Sequence, residues 1–439
     1  MRLLVYGINY APELTGVGKY TAEMAEALVA RGHEVRVVAA PPYYPTWRVA
    51  DGWSAWRYRC EVRRGVTVWR VPLWVPAQPN GAKRLVHLAT FALTSLAPLA
   101  LQWRWRPDVV MAVAPTLLCA PAALAMARAT GARAWLHVQD FEVDAAFGLG
   151  MLESARAARA ARAVERALLR RFDVVSSISG KMVDRAEALG VDRSKLFALP
   201  NWVDVETIRP LDRVSVYRRE LSISEDAKVV MYAGNMGRKQ GLEHLAKAAA
   251  LLRDRTDICF VFCGEGPTKT DIQARCADLP NCRIIGLQPA ERLNELLNLA
   301  DIHALPQRAD AADLVMPSKL TGMMASGAAI VAMASAGTEL YEVVSPRGVV
   351  VEPDDGEALA SAIVNLADDA PRRARLGAAA RQYARDMLSP TSVFGRFEAK
   401  LLEGVYPETV GFAVENSVRD RAGASGATQD SGSGANSNF

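Results

Sequence analysis

The sequence predicts an α/β fold of two domains, each built on a doubly wound parallel sheet. The chain has 439 residues, which exceeds what one hydrophobic core usually supports. Short apolar runs of strand length alternate with helical patterns along most of the chain, as expected for β-α-β units. The alternation begins anew after the segment PNWVDVETIRP. We therefore predict domains at residues 1–205 and 206–387.

The composition fits two buried cores and indicates neither disulfides nor a zinc site. Half of the residues are apolar. The six cysteines form no C-x-x-C pair and lie near no pair of histidines, so we expect reduced thiols, no metal and a cytosolic protein. The opening MRLLVYGINYAPE has one charge before a short apolar run. That run is too short for a secretory signal, and we interpret it as a first strand.

The net charge of +4 conceals an uneven distribution. Residues 1–173 carry 22 Lys and Arg against 13 Asp and Glu, a net charge of +9, and the remainder carries −5. A basic half of this kind indicates that the first domain faces an anionic partner.

The first elements form a β-α-β unit. Residues 3–8 and 34–40 are short apolar runs, and the helical pattern between them stops at Gly32, a common helix end. Gly16 and Gly18 lie where this helix begins, and free backbone N–H groups there favour an anion or a sugar hydroxyl. The spacing fits neither a P-loop nor G-x-G-x-x-G. A tight turn that requires small residues is the alternative explanation.

Residues 43–106 combine tryptophan with basic side chains. Seven of the nine tryptophans lie here, namely Trp47, Trp53, Trp56, Trp69, Trp74, Trp103 and Trp105. They are interleaved with Arg48, Arg57, Arg59, Arg63, Arg64, Arg70, Lys83, Arg84, Arg104 and Arg106. The mixture is typical of a bilayer interface, where indole rings lie at the headgroup level and cations meet lipid phosphate. Stacking on single-stranded nucleic acid is disfavoured because no nucleic-acid module accompanies it, and burial of many of these tryptophans in the core is the simpler alternative.

Two apolar stretches are long enough to be compared with membrane spans. Residues 109–127 contain a buried-strand pattern followed by Pro115 and Pro121, so we predict a strand and a helix there. Residues 85–102 carry no formal charge but include His87 and several hydroxyl groups. For this second stretch we prefer a helix that lies on the sheet or in the headgroup region to a true span.

The strand predicted at Arg133–Val138 runs into the polar sequence LHVQDFEVD. Its polar side chains are His137, Gln139, Asp140, Glu142 and Asp144. Active sites form at the carboxyl ends of strands in parallel sheets. The alternative for His137 is a histidine satisfied by the backbone.

The helical pattern that follows carries a basic stripe. Its members are Arg156, Arg159, Arg162, Arg166 and Arg170, which fall within an arc of about 120° at the helical advance per residue. The stripe is either a solvated face or a further part of a surface for anionic membranes.

The remaining elements continue the alternation. In the first domain we predict strands at 173–178 and 195–199 and a helix at 180–189. In the second we predict strands at 228–233, 258–263, 283–285, 301–304, 329–333 and 349–351, with helices at 242–252, from 268, at 290–299 and from about 352 to 404.

Two glycine-bearing turns follow strands of the second domain. In AGNMGRKQG, at residues 233–241, three glycines let the backbone approach a ligand at a helix N-terminus, and Arg238 and Lys239 add two positive charges. This combination suits a diphosphate. A flexible loop with a solvated basic pair is the alternative. The second turn is CGEGP, at residues 263–267.

Residues 306–327, PQRADAADLVMPSKLTGMMASG, are the predicted position of the chemistry. They lie between two predicted strands, and ligands bind beyond the carboxyl ends of strands in an open parallel sheet. The polar candidates are Asp310, Asp313, Ser318 and Lys319.

The last helix, within residues 388–404, requires a partner surface. Ser389 and Pro390 form an N-cap and first-turn pair. The apolar residues on one face are Val393, Phe394, Phe397, Leu401 and Leu402. We expect residues 422–439, which are rich in glycine and serine, to be disordered.

Five motifs occur in the order of a known family: GVGKYTAEMAEALVARGHEVRVVAA, LHVQD, YAGNMGRKQGLE, FCGEGP and MPSKLTGMMASGAAIVA. Over residues 1–404 the chain resembles the GT-B glycosyltransferases, specifically the retaining family four. INYAPELTGVGKYT and APPYYPTWRV are similar to segments of transferases that build colanic-acid-type exopolysaccharides in Gram-negative bacteria. The resemblance implies two Rossmann-like domains that face each other across a cleft, with residues 388–404 crossing back to the first.

The resemblance also implies roles for individual residues. Gly16, Gly18 and Asp140 would line the acceptor side of the cleft. His137 would touch the transferred sugar, and Asp313 would be a second catalytic residue. The implied donor-binding residues are Gly234, Asn235, Gly237, Arg238, Lys239, Gly264, Glu265 and Gly266, to which we add Ser318 and Lys319 where the sequence departs from the family.

The basic residues of the family's glycine turn are displaced in this sequence. The usual arginine and lysine align with Asn235 and Gln240. Arg238 and Lys239, shifted in register, are then the basic candidates in the turn.

The family's paired glutamates are missing as well. They align with Leu314 and Gly322, and Asp313 is the carboxylate nearest to the first position. We expect Ser318 and Lys319 to substitute for them.

The implied activity moves a sugar, with fucose as one candidate, from a GDP- or UDP-sugar to a polyprenyl-diphosphate-linked saccharide at the inner face of the cytoplasmic membrane. The reaction would retain configuration and need neither metal nor cofactor, since helix N-termini and basic side chains can stabilise a diphosphate. A sugar-nucleotide 2-epimerase shares the architecture, but the basic first domain argues against it. A catalytically weak scaffold of a polysaccharide assembly complex is a third hypothesis, which the missing glutamates favour.

Overall fold

The computed structural model describes residues 1–13, 16–143, 155–309 and 317–404. These residues form one sheet of eight strands and one of six. Each sheet has a buried apolar core on both faces. The predicted α/β fold of two Rossmann-like domains is confirmed.

The first sheet is parallel except at one edge. Its strands are β1 (Arg2–Tyr6), β2 (Glu34–Ala39), β3 (Arg59–Arg63), β4 (Val66–Arg70), β5 (Val109–Ala114), β6 (Arg133–Val138), β7 (Val174–Ser177) and β8 (Leu196–Ala198). Their spatial order is β3-β4-β2-β1-β5-β6-β7-β8. The order reverses between β1 and β5, which places the ligand crevice of a doubly wound sheet beyond the carboxyl ends of these two strands.

The helices of this domain are α1 (Gly16–Ala30), α2 (Gly81–Thr94), α3 (Leu96–Leu101), α4 (Ala120–Thr130), α5 (Ala155–Leu169) and α6 (Gly180–Ala188). The strand β5 is buried along its full length and α4 follows it. Residues 109–127 therefore form the predicted strand and helix.

The hairpin of β3 and β4 was not predicted. The two strands are antiparallel and pair from Arg59 with Arg70 to Arg63 with Val66. Arg64 and Gly65 both have positive φ, at 45° and 81°, as a two-residue hairpin turn requires. The hairpin is hard to recognise in the sequence because charged residues occupy most positions of β3, so this strand lacks a continuous apolar run.

Residues 81–104 form an almost continuous helical stretch of α2, α3 and a 3-10 turn at Gln102–Arg104. Within the described part of the chain, this is the one helix whose length and composition would allow it to cross a membrane. A third of its apolar window is buried, and Phe91 and Leu99 pack into the core of the first domain. The stretch thus lies along the domain and leaves most of its surface uncovered.

The second sheet is wholly parallel. Its strands are β9 (Lys228–Ala233), β10 (Ile258–Cys263), β11 (Cys282–Ile285), β12 (Ile302–Leu305), β13 (Ala329–Met333) and β14 (Val349–Val351). The order is β11-β10-β9-β12-β13-β14, with the reversal between β9 and β12. The helices are α7 (Tyr217–Glu220), α8 (Leu242–Leu251), α9 (Lys269–Cys276), α10 (Leu293–Leu297), α11 (Ser318–Ser326), α12 (Glu339–Val344), α13 (Gly356–Asp368) and α14 (Ala370–Tyr383).

The last helix, α15 (Pro390–Glu403), belongs to the core of the first domain. Ser389 caps it by accepting a hydrogen bond from the backbone N–H of Ser392. Phe397 packs edge-on against Trp135 at 5.3 Å between ring centroids, and Glu398 accepts from His33 at 2.7 Å. The predicted crossing back to the first domain is confirmed.

Candidate active site

The carboxyl ends of the two sheets face each other across a cleft. Glu339 begins α12, just after β13, and its carboxylate reaches the start of α6, just after β7. It accepts hydrogen bonds from the backbone N–H groups of Gly180, at 3.3 Å, and Lys181, at 2.9 Å. A carboxylate at a helix N-terminus is favourable because it meets unpaired N–H groups and the positive end of the helix dipole.

The loop after β1 is followed by α1, whose first turn carries two glycines. Gly16 is exposed at the start of α1, and Gly18 is buried. A Cβ at Gly18 would lie 2.5 Å from a carboxylate oxygen of Glu13, so glycine is required there. The other oxygen of Glu13 accepts from the backbone N–H groups of Tyr43 and Tyr44, at 3.1 and 3.0 Å.

Sequence reasoning missed Glu13, whose carboxylate joins the loops after β1 and β2. It is 6% exposed, and burial raises its pKa although these hydrogen bonds oppose the shift. The only signal was a carboxylate beside a glycine-rich helix start. Its partners could not be found without the fold.

His137 is buried at the end of β6. Its Nδ1 lies 2.9 Å from the hydroxyl of Ser176, which accepts the indole N–H of Trp135 at 2.7 Å. Its Nε2 faces the side-chain amide of Gln139 at 3.0 Å. Burial lowers the pKa of His137 to about 4, so the imidazole is neutral near pH 7, and its polar contacts are hydrogen bonds.

The acidic residues of the LHVQDFEVD segment lie in different environments. Asp140 is exposed. Glu142 is turned inward and accepts the backbone N–H of Leu117; burial raises its pKa to about 7. Asp144 lies outside the described residues.

On the second domain, the two glycine turns interlock. A Cβ at Gly264 would overlap the carbonyl oxygen of Gly234, and a Cβ at Gly266 would lie 2.5 Å from that of Met236. The φ angles of Gly234, Gly264 and Gly266 are 144°, 149° and 152°. The N–H of Met236 donates to the carbonyl of Glu265 at 2.8 Å. Glycine is therefore required by the contact between the turns, as well as by any ligand.

Lys319 reaches this glycine turn from the first turn of α11. Its amine donates to the hydroxyl of Tyr232 at 2.7 Å and to the side-chain oxygen of Gln240 at 2.6 Å. It lies 4.3 Å from the centroid of the Tyr232 ring. Burial lowers the pKa of Lys319 to about 7. The structure thus brings together two separately predicted segments, the turn at 233–241 and the loop at 306–327.

The other predicted donor residues lie around this point. Asn235, Arg238, Lys239 and Ser318 are exposed, and Gly237 is half-buried. Glu265 forms an ion pair with Lys269 at 2.6 Å, so its carboxylate already has a cation. Asp310 and Asp313 lie outside the described residues. Within the part of the chain that the structure describes, no group of three or more His, Cys, Asp and Glu side chains is placed to hold a metal ion.

Comparison with known sequences gives matches along both domains. Residues 15–202 match the family described as Glycosyl transferase 4-like domain, and residues 227–369 match Glycosyl transferases group 1. The putative colanic acid biosynthesis glycosyl transferase WcaI of Escherichia coli K12 is 43% identical over 411 residues, which cover 90% of this chain and 98% of that protein. A GDP-mannose-dependent phosphatidylinositol monomannoside mannosyltransferase of Mycolicibacterium smegmatis is 28% identical and covers 88% and 94%.

Solved structures share the fold at low sequence identity. Sucrose-phosphate synthase from Thermosynechococcus elongatus has a TM-score of 0.69 at 17% identity, and the match covers 91% of this chain and 99% of that one. Anabaena Alr3699/HepE in complex with UDP-glucose has a TM-score of 0.63 at 15% identity, with the same coverage. The matches support a transferase and not the epimerase alternative. The chain belongs to family four of the GT-B glycosyltransferases, in the group similar to colanic-acid-type exopolysaccharide transferases.

Proposed function

We propose that the protein transfers a sugar from a GDP- or UDP-sugar to a polyprenyl-diphosphate-linked saccharide in exopolysaccharide biosynthesis. The observation that carries this proposal is the joint position of the glycine turn at 233–241 and the Lys319 amine at the cleft edge of the second sheet. The similarity to a colanic acid transferase supports the product class. The UDP and UDP-glucose bound by the Anabaena protein of the same fold support the donor class.

The donor would lie across the two glycine turns. The N–H groups of Gly234 and Gly264 already donate to the carbonyls of Cys263 and Ile285, so the backbone donors that we propose for phosphate oxygens are those at the start of α11. The side chains that we propose around them are Asn235, Arg238, Lys239, Glu265, Ser318 and Lys319, with Gly237 in the turn.

The chemistry we propose retains configuration and uses charge from the chain itself. As the sugar leaves, negative charge grows on the diphosphate, and a positioned ammonium with helix N–H groups stabilises that charge. His137 would meet the sugar through Nε2, the atom now against Gln139, with Asp140 on the acceptor side. Asp313 is our proposed second catalytic residue, in addition to His137.

The acceptor would arrive from a membrane. Large apolar side chains are exposed on α2, α3, the 3-10 turn after them and the neighbouring loop, namely Leu85, Val86, Leu93, Leu96, Leu101, Trp103, Trp56 and Tyr58. The hydroxyl of Tyr58 donates to the carbonyl of Thr94 at 2.9 Å, which joins the loop to α2. We call this set the apolar face. With Arg57, Lys83 and Arg104 beside it in the chain, it suits peripheral binding to the anionic inner face of the cytoplasmic membrane.

The proposal is tested by incubating the full-length protein with labelled GDP- and UDP-sugars and a polyprenyl-diphosphate-linked sugar. We expect transfer from one donor class. His137→Ala should lower kcat while the protein remains folded, and Gly395→Ala, at a position with open space around it, should match the wild type. Absence of transfer from every donor would instead support the scaffold hypothesis.

A further inference from the structure

Lys319, which contacts the glycine turn at 233–241, lies on α11 and not in the turn itself. We propose that Tyr232 and Gln240 are positioning residues, which aim the ammonium of Lys319 at the diphosphate of the nucleotide-sugar donor. This inference rests on the proposed function. It assigns the main cationic contact with the diphosphate to a residue on α11, and it gives roles to two neutral side chains that sequence reasoning did not select as site residues.

The two partners fix the amine in direction as well as in place. Tyr232 is fully buried on β9, and its hydroxyl donates to the carbonyl of Asn235 at 2.5 Å. Its oxygen is then available to accept from Lys319. Gln240 accepts a second N–H from the 3-10 turn Arg238–Gln240. An ammonium has three donors, so one N–H remains for a ligand.

Gly234 lies directly beside the lysine side chain. A Cβ at Gly234 would lie 3.4 Å from Cε of Lys319 and 3.5 Å from its Nζ, which is ordinary contact. Glycine is favoured there by its φ of 144°. The stem of Lys319 therefore packs against the turn, and its amine lies beside the turn's backbone.

Among the described residues, no carboxylate is recorded in contact with the amine of Lys319. Its contacts among the described residues are a hydroxyl, an amide oxygen and an aromatic ring. A buried cation is unfavourable until an anion joins it, and the pKa of Lys319 is lowered to about 7 by burial. A bound diphosphate would supply the missing negative charge and stabilise the protonated amine.

The basic residues of the turn are placed differently. Arg238 and Lys239 are exposed, and the charge of an exposed side chain is screened by water and salt. The titratable group in contact with the amine is the Tyr232 hydroxyl, whose pKa is raised by burial. Lys319 is less exposed than these two residues, and two hydrogen bonds hold its amine in position.

The experiment measures binding of GDP- and UDP-sugars by calorimetry, with donor KM and kcat for transfer. Lys319→Met should weaken donor binding about tenfold or more, the size expected for loss of a charge-assisted contact, and leave the acceptor KM unchanged. Lys319→Arg should retain part of the affinity. Because the Gln240 oxygen lies 2.6 Å from the amine, Gln240→Lys in the Lys319→Met background should recover donor binding.

Tyr232→Phe and Gln240→Met test the positioning roles through pH. Each removes one acceptor from the ammonium, so the pH at which donor binding begins to weaken should move down. A purely structural role would leave that pH unchanged. Lys228→Met, at the opposite end of β9, is the matched control and should behave as the wild type.

The outcomes separate this inference from the proposed function. A wild-type protein that binds no nucleotide sugar contradicts the proposed function. Wild-type binding together with full affinity in Lys319→Met overturns the assignment of Lys319. Lost affinity in Lys319→Met with unshifted pH profiles in Tyr232→Phe and Gln240→Met leaves Lys319 as a donor contact but overturns the positioning roles.

Discussion

At the scale of single residues, the site depends on contacts between segments that are far apart in the chain. Lys319 could be selected from the sequence because it is a cation at a helix start beyond a strand end. Tyr232 and Gln240 could not, since they precede Lys319 by 87 and 79 residues and neither carries a charge. Glu13 was missed for the same reason, because its partners lie 30 and 31 residues later.

We predict that donor affinity depends on pH through Lys319. The amine has a pKa of about 7 in the free protein, and a bound diphosphate raises it. Affinity should therefore be constant below pH 7 and fall by up to about tenfold per pH unit above it. Calorimetry with an intact nucleotide sugar measures this, because its esterified phosphates do not titrate in that range. Lys319→Arg should give a flat profile, and an equally steep fall in that variant would contradict the prediction.

At the scale of elements, most strands and helices follow directly from the sequence. β6, β9, β10, β13 and β14 have the predicted bounds because buried parallel strands are short, continuous apolar runs. The β3–β4 hairpin lies at an exposed edge, where alternation of charged and apolar residues replaces such a run. Of the seven tryptophans in residues 43–106, Trp56 and Trp103 are exposed and the others half-buried, so none belongs to the fully buried core.

The interlocked glycine turns should be intolerant of any side chain. Gly264→Ala forces a methyl group into the carbonyl of Gly234, and we expect a loss of about 2–4 kcal/mol in the free energy of unfolding from overpacking and backbone strain. Urea denaturation measures it. Gly395→Ala meets open space on α15 and should be neutral or stabilise the protein by up to about 1 kcal/mol, as alanine does in helices. Equal stability of the two variants would argue against the interlocked geometry.

The apolar face should bind membranes. Leu93 is 69% exposed on α2, and Leu93→Glu should weaken binding to anionic vesicles about tenfold, the effect of withdrawing one leucine from an apolar phase. Flotation with liposomes at increasing salt measures it, and wild-type binding should weaken with salt. Leu287 is 74% exposed in the second domain, so Leu287→Glu is the control. A similar loss in both variants would place the contact elsewhere.

At the scale of the whole molecule, the described parts of the two domains are joined where two chain segments cross side by side and where Glu339 contacts α6. The N–H of Val203 donates to the carbonyl of Leu388 at 2.9 Å, so the outgoing and returning segments lie side by side. Glu339 holds the other end by capping α6. We infer a hinge at the two crossing segments. Substrates would enter the cleft when the Glu339 carboxylate separates from the N-terminus of α6.

Removal of the contact between Glu339 and α6 should open the cleft. Charge-assisted hydrogen bonds contribute about 1–3 kcal/mol, so we expect Glu339→Ala to have a larger radius of gyration in solution and a raised donor KM. Small-angle scattering measures the first effect. Glu342→Ala, on the same helix and exposed, should match the wild type. Identical scattering from both variants would show that Glu339 does not set the domain separation.

The position of α15 in the core of the first domain determines how chimaeras of this protein and its relatives should be designed. The helix follows the second domain in the sequence but completes the core of the first, where Phe394 and Phe397 pack edge-on against Trp202 and Trp135. A chimaera that joins two parents once, near residue 205, would pair this helix with a foreign surface. The exchangeable module is therefore an internal insert of about residues 206–388, and grafts that respect both of its ends should keep a native first domain.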